Sequence, residues 1–314
     1  MKFVFLGTPE YVLPILDALN KKFKVKGESP IAAVVTQEPK PTGRNQFLTY
    51  SPVDDWAHKR SIPIYFDPED IIKNSLAADM GILASYGKII PESVIKYFKY
   101  GILNVHPSCL PKYRGASPIQ ASLISQDIET GVSIIKLDEE LDHGPIVCQF
   151  YEEIFPQDTF ESLRDRLFTR SCEVLTTLIP PYTQGKITLK KQNDTKATFT
   201  RQIKKEDAFI PPNYLDLALK GKAVKDDWTI PFIKDFAITP KVDVLDSFIR
   251  AMSLWPVAWT TINTDTSNQI KRIKIMKSHL ENNKLILDEV QMEGKSPVTW
   301  RQFKEGYPQS FFKS

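Results

Sequence analysis

Asn104 and His106, an amide and an imidazole two residues apart, are the side chains of this chain best placed to act on a carbonyl group. They lie in an apolar, β-prone run (Ile102, Leu103, Val105), and residues two apart in an extended strand point to the same face. Pro107, Pro111, Gly115 and Pro118 then interrupt the backbone, so the pair sits where a strand ends and a loop begins. An amide is a permanent hydrogen-bond donor, and an imidazole exchanges a proton near neutral pH. A lone histidine at a strand end is more often structural than catalytic, and Asn104 could simply cap the turn; the pairing is what points to chemistry. Cys109 has no base beside it and reads as packing rather than as a nucleophile. The three cysteines (Cys109, Cys148, Cys172) are far apart and outside Cys-x-x-Cys spacing, which argues against disulfides and structural zinc. The four histidines (His58, His106, His143, His279) contain no His-x-x-x-His pair, so no metal is expected.

The elements that must position this pair alternate in type. Lys2–Leu6 reads as a strand, Gly7-Thr8-Pro9 as a turn, and Glu10–Lys22 as a helix with Leu13, Leu16 and Leu19 on its apolar face. Ile31–Thr36 is a second strand, Gln37–Ser51 a long polar loop and Val53–Arg60 a helix; Ile62–Tyr65, Gly81–Ala84 and Gly101–Val105 are further strands. Gly131–Leu137 and Pro145–Ile154 are neighbouring strands, and Asp158–Ile179 is a helix that Pro180-Pro181 should stop. Such alternation predicts an α/β fold with a doubly wound, mostly parallel sheet. No Gly-x-Gly-x-x-Gly follows the first strand and no Walker A loop is present, so neither NAD nor ATP is indicated.

The second half has another texture. Val242–Met252 reads as a helix ended by Leu254-Trp255-Pro256, and short strands follow over Val257–Ile262, Arg272–Met276 and Leu285–Val290. These predict a small β-barrel, OB-like in kind. The expected organisation is a first domain over 1–180, a linker over 181–204 and a barrel-like domain over 205–314, with Phe209–Pro240 the least legible stretch. Residues 1–185 carry 19 Lys+Arg against 23 Asp+Glu, whereas residues 186–314 carry 22 against 15. A basic half joined to a mildly acidic one suits a polyanionic partner, although a solvated lysine-rich exterior explains the charge as well. No apolar run approaches the length of a membrane span, and Met1–Gly7 lacks the cleavage-site residues of a signal peptide. A cytoplasmic protein with no membrane and no DNA partner is expected, and a monomer.

Four ordered motifs carry a resemblance. Asn104-Val105-His106-Pro107-Ser108-Cys109-Leu110-Pro111, with Arg114-Gly115 and Pro118, resembles the signature of the 10-formyltetrahydrofolate-dependent formyltransferases. Gly131-Val132-Ser133 with Asp138 and Leu141-Asp142-His143-Gly144 resembles that family's second catalytic segment, and Phe5–Pro9 and Tyr86–Pro91 match as well. The loop Thr36–Arg44 resembles the tRNA-contacting insertion of members that act on initiator methionyl-tRNA, in translation initiation. The chain departs from the pattern at Cys109, where leucine is usual, at Glu140, where glycine is common, and in about thirty residues after Phe209.

The resemblance implies formyl transfer from 10-formyltetrahydrofolate, a cosubstrate, to a primary amine, without metal. The amine attacks the formyl carbon, so the reaction needs a donor for the oxyanion and an acceptor for the ammonium proton. By resemblance Asn104, His106 and Asp142 are the catalytic set, with Asn104 and His106 donating to the oxyanion and Asp142 supporting His106 or relaying a proton through water. The same resemblance lays Ser108, Cys109, Leu110 and Pro111 against the folate, gives Tyr86 and Gly87 to the pterin pocket, and makes Arg44 and Lys40 tRNA contacts. His143 is read as a loop residue. Two other readings stand beside methionyl-tRNA as acceptor: a sugar-nucleotide N-formyltransferase of the same superfamily, and an inactive tRNA-binding module.

Overall fold

The computed structural model describes residues 1–42, 46–264 and 270–312. The chain divides into two compact units. The first comprises Met1–Arg114, Thr130–Glu152 and Arg164–Ala197, the second Gly115–Glu129, Glu153–Leu163 and Thr198–Ser314.

The first unit is built on a seven-stranded sheet in the order Ile146–Glu153, Glu129–Lys136, Ile102–His106, Met80–Ala84, Phe3–Gly7, Ile31–Val35, Ile64–Tyr65. The five strands from Ile102–His106 to Ile64–Tyr65 run parallel to one another. Every residue of Phe3–Gly7 except the turn glycine is a large apolar group, and all five are buried, as in a sheet covered on both faces. One core cluster joins Val4, Leu6, Val35, Ile71, Tyr86, Ile90, Val94, Phe98 and Ile102. The expected doubly wound, mostly parallel sheet is thus present. The direction changes at the strand bearing Asn104 and His106, which pairs antiparallel with Glu129–Lys136 in a register that sets His106 against Ser133 and Leu103 against Lys136.

Two local expectations need correction. The Gln37–Ser51 loop contains a β-hairpin, in which Lys40–Thr42 pairs antiparallel with Phe47–Thr49. Proline at 41 is tolerated because the ribbon has only one neighbour for each strand. The helix begun at Phe160 also does not stop before Pro180: it runs to Thr183. The two prolines lack donors, but their carbonyls still accept from the amides of Gln184 and Lys186, which keeps the last turn hydrogen-bonded.

The second unit has a four-stranded antiparallel sheet, Trp259–Asn263, Ile270–Glu281, Lys284–Met292 and Val298–Thr299 in that order. At the far edge Asn263 exchanges two backbone hydrogen bonds with Phe311, so the end of the chain returns to the first strand and makes the sheet barrel-like. Helix Val242–Ala251 packs on this sheet with eight of its residues buried, among them Asp246. That carboxylate is neutralised by Arg250 at 2.8 Å and accepts from Ser278 Oγ at 2.8 Å, which is how a charge is kept in a core. The poorly legible stretch after Phe209 holds a short helix, Pro212–Leu219, and a strand pair, Trp228–Thr229 with Ala237–Ile238.

Candidate active site

Asn104, His106 and Asp142 meet in the first unit. Strand alternation places Asn104 and His106 on one face, and both are buried, at 5% and 4% exposure. The Asn104 Nδ2–H donates to Asp142 Oδ1 at 3.1 Å, and His106 Nδ1 lies 3.5 Å from Asp142 Oδ2. The other ring nitrogen of His106, Nε2, is 3.0 Å from the Tyr113 carbonyl oxygen. A carbonyl only accepts, so Nε2 carries the N–H and Nδ1 is the atom turned toward the carboxylate. Tyr113 reaches this position in a left-handed backbone conformation, φ 58.

Asp142 arrives on a loop rather than a strand. Lys136 ends its strand opposite Leu103, and the loop after it must cross the face that carries Asn104. Three features hold it there. Asp142 itself adopts φ 46, a left-handed conformation that aspartate tolerates better than most residues. A Cβ at Gly144 would lie 1.9 Å from the Lys136 carbonyl oxygen, so only glycine lets the loop close against the strand. Finally, Gln192 Nε2 donates to the backbone carbonyls of Asp142 and Gly144, both at 2.8 Å.

The segment after His106 is pinned by Ser133. Its hydroxyl donates to the Ser108 carbonyl at 2.7 Å and accepts from the Leu110 amide at 3.0 Å and from Gln149 Nε2 at 2.7 Å. Ser108 is fully buried and its Oγ donates to the Lys112 carbonyl at 2.6 Å. Cys109 is half-buried beside Gly131, where a Cβ would come 2.8 Å from its Sγ and 2.0 Å from the Phe150 carbonyl. Leu110 forms an apolar cluster with Ile135 and Ile146, and Pro111 follows it through a cis peptide bond.

Tyr86 is buried, its carbonyl accepting from Thr8 Oγ1 at 3.2 Å and Gln37 Nε2 at 3.0 Å. Burial, aided by the charges of Asp67 and Glu38, pushes its phenol up to about 12, so it stays neutral. Gly87 has φ +81 and is exposed. Lys40 donates to Gln37 Oε1 at 3.0 Å. Arg44 lies outside the described residues.

His143 Nδ1 lies 2.7 Å from Asp138 Oδ2, and that hydrogen bond raises the imidazole above its ordinary range. Asp194 is held below the usual carboxylate range by the Arg114 side chain, 2.7 Å away. Among the described residues no group of three or more His, Cys, Asp or Glu could hold a metal ion, and no helix is long and apolar enough to cross a membrane.

Sequence reasoning missed Tyr113 and Gln192 altogether, and gave Ser133 and Arg114 no part of their own. Ser133 and Arg114 stand inside the quoted motifs, so their positions offered a signal. Gln192 lies in a polar, lysine-rich stretch with none.

Residues 1–179 match the model of a family described as formyl transferase. The methionyl-tRNA formyltransferase of Fusobacterium nucleatum is 34% identical over 270 residues, which cover 84% of this chain and 76% of that protein. Among solved structures, the methionyl-tRNA formyltransferase of Clostridium thermocellum has a TM-score of 0.58 at 17% identity, covering 93% of this chain and 98% of that one. The N-formyltransferase of Helicobacter canadensis, in complex with folinic acid and dTDP-3-aminofucose, has a TM-score of 0.63 at 17% identity, covering 95% and 98%. The two structures are alike in fold alone. The family match over more than half the chain, and the long sequence similarity beyond it, are of another order: this chain belongs to the formyl transferase family.

Proposed function

We infer that this chain transfers the formyl group of 10-formyltetrahydrofolate to the amino group of initiator methionyl-tRNA, the step that prepares that tRNA for translation initiation. The observation that carries the reading is the convergence of Asn104, His106 and Asp142 in a chain similar over most of its length to methionyl-tRNA formyltransferases. The sugar-nucleotide reading draws on fold likeness alone, and the inactive-module reading has no explanation for an intact polar trio.

The roles follow from the hydrogen bonds. One N–H of the Asn104 amide is taken by Asp142, and the second serves the formyl oxygen as it gains negative charge. A donor fixed in this way contributes roughly 10²–10³ in rate. With Nε2–H committed to Tyr113, Nδ1 of His106 accepts the proton of the attacking amine and, once protonated, donates it on. Asp142 lies against that nitrogen and stabilises the imidazolium. The donor supplies the formyl carbon; its nitrogen leaves with a proton as the new amide forms.

The donor's pocket is assigned to Ser108, Cys109, Leu110 and Pro111 with Tyr86 and Gly87. The apolar cluster of Leu110, Ile135 and Ile146 suits an aromatic ring system, as do Ile89 and Leu141, which are 91% and 59% exposed on the two neighbouring loops. Lys40 on the hairpin, Arg44 and the basic second half are assigned to tRNA. The division into a catalytic domain over 1–180, a linker over 181–204 and a tRNA-binding domain over 205–314 belongs to the same proposal, as do a cytoplasmic location and a monomer free of DNA and membrane.

The test offers 10-formyltetrahydrofolate to the purified chain with either charged initiator tRNA or an amino-sugar nucleotide. Formylated methionyl-tRNA is expected. Formylated sugar with untouched tRNA would overturn the acceptor, and turnover of neither would overturn the enzyme.

A further inference from the structure

We propose that Gln192, oriented by Arg114, is a positioning residue for the reaction, acting through the loop that carries Asp142. The proposal rests on the catalytic role assigned to Asp142 above.

Gln192 is 5% exposed, and its amide is saturated. Both N–H groups are used, one on the Asp142 carbonyl and one on the Gly144 carbonyl. Both lone pairs of Oε1 are used as well, by Arg114 Nε at 3.1 Å and Nη2 at 2.8 Å. This pattern admits one orientation. An arginine side chain only donates and a carbonyl only accepts, so a flipped amide would set oxygen against two carbonyls and N–H against two N–H groups. Arg114 is therefore the reason that Gln192 presents donors to the loop. Arg114 is itself buried, with a side chain 4% exposed, and its Nη2 also donates to Asp194.

The effect on Asp142 is direct. Its residue is gripped at two places: the backbone carbonyl by Gln192 and the carboxylate by Asn104. The residue stands in a left-handed conformation on a loop whose side chains at 139, 140 and 141 are exposed. Its height over the sheet is set by these two grips together with the closure at Gly144 and the Asp138–His143 hydrogen bond. A gap of 3.5 Å between Asp142 Oδ2 and His106 Nδ1 leaves little tolerance: displacement by about 1 Å costs on the order of 10²-fold in rate. Gln192 touches no reacting atom and works through this placement.

The experiment is a double-mutant cycle on the full chain, measuring formylation of methionyl-tRNA by 10-formyltetrahydrofolate in Gln192→Met, Asp142→Asn and the double variant. Gln192→Met is expected to lower kcat about 10²-fold, leave both KM values within about 3-fold, and add no more than about 3-fold to the loss in Asp142→Asn. A loss that multiplies with that of Asp142→Asn, or one that falls on KM alone, overturns the proposal. A merely structural role would lower activity only in step with the folded fraction read by circular dichroism, and that result overturns it too. Normal turnover in Asp142→Asn would overturn the catalytic reading and the clamp together, whereas a slow Asp142→Asn beside a normal Gln192→Met overturns the clamp alone. Should Gln192→Met fail to fold, the isosteric Gln192→Glu keeps the partner for Arg114, sets oxygen against the two carbonyls, and carries the same cycle.

Discussion

The Asn104 amide donates to the carboxylate of Asp142 across 38 positions of sequence, at 3.1 Å, and this bond sets the direction of the free N–H that remains. Asn104→Ala removes the donor and is expected to lower kcat roughly 10²–10³-fold. Asn104→Asp should do no better, because it sets a second carboxylate against the first. Single-turnover formylation checks both, with methionyl-tRNA affinity measured separately and expected to hold.

His106→Ala leaves the Tyr113 carbonyl and the Asp142 carboxylate facing a void. The rate should fall by about 10²–10⁴-fold while tRNA affinity stays nearly intact. Near-normal turnover would mean that the proton acceptor has been misassigned.

Ser133→Ala deletes one hydroxyl and takes a hydrogen bond from the Ser108 carbonyl, the Leu110 amide and the Gln149 amide, of which Gln149 keeps its bond to the Leu110 carbonyl at 3.1 Å. A buried polar group left unpaired costs about 1–3 kcal/mol. Denaturant unfolding should show a loss of about 2–3 kcal/mol. Because the pinned segment is assigned to the folate, KM for the donor should rise at the same time.

The Asp138–His143 pair gives a pH signature. The hydrogen bond that the His143 ring donates to Asp138 raises the imidazole, so its contribution to stability is fully present below the unfolded value near 6.5 and is lost as pH rises through the folded value. In thermal unfolding His143→Gln should be less stable than the wild type at about pH 5.5, and the gap should close toward about pH 9. A gap that widens with pH would reverse the sign and refute the assignment.

Arg44→Ala should lower kcat/KM for methionyl-tRNA and leave the donor's KM unchanged. If the basic second half holds tRNA phosphates, affinity should also fall steeply with salt. A flat response in either measurement takes that element out of the tRNA-binding surface.

Much of the fold was legible because its signals are local. Continuous apolar runs such as Phe3–Gly7 mark strands buried on both faces, and the interval of two between Asn104 and His106 already puts them side by side. Asp142 came through its motif, not through any periodicity. What failed to show was what depends on distant partners. The hairpin of Lys40–Thr42 and Phe47–Thr49 was hidden by prolines that usually signal a loop. The run of the helix past Pro180 depends on carbonyls that find amides beyond the helix end. Gln192 reaches backbone atoms 48 and 50 positions away, and a side chain that binds carbonyls imposes no residue type on the segment it binds.

That last property has an evolutionary consequence. The grip on the loop is blind to side-chain identity between Asp142 and Gly144, so His143 can drift without moving the carboxylate. Loop length has no such freedom. Inserting or deleting one residue between the two gripped carbonyls would shift one of them out of reach of the amide, so this stretch should tolerate substitution far better than it tolerates any change in length.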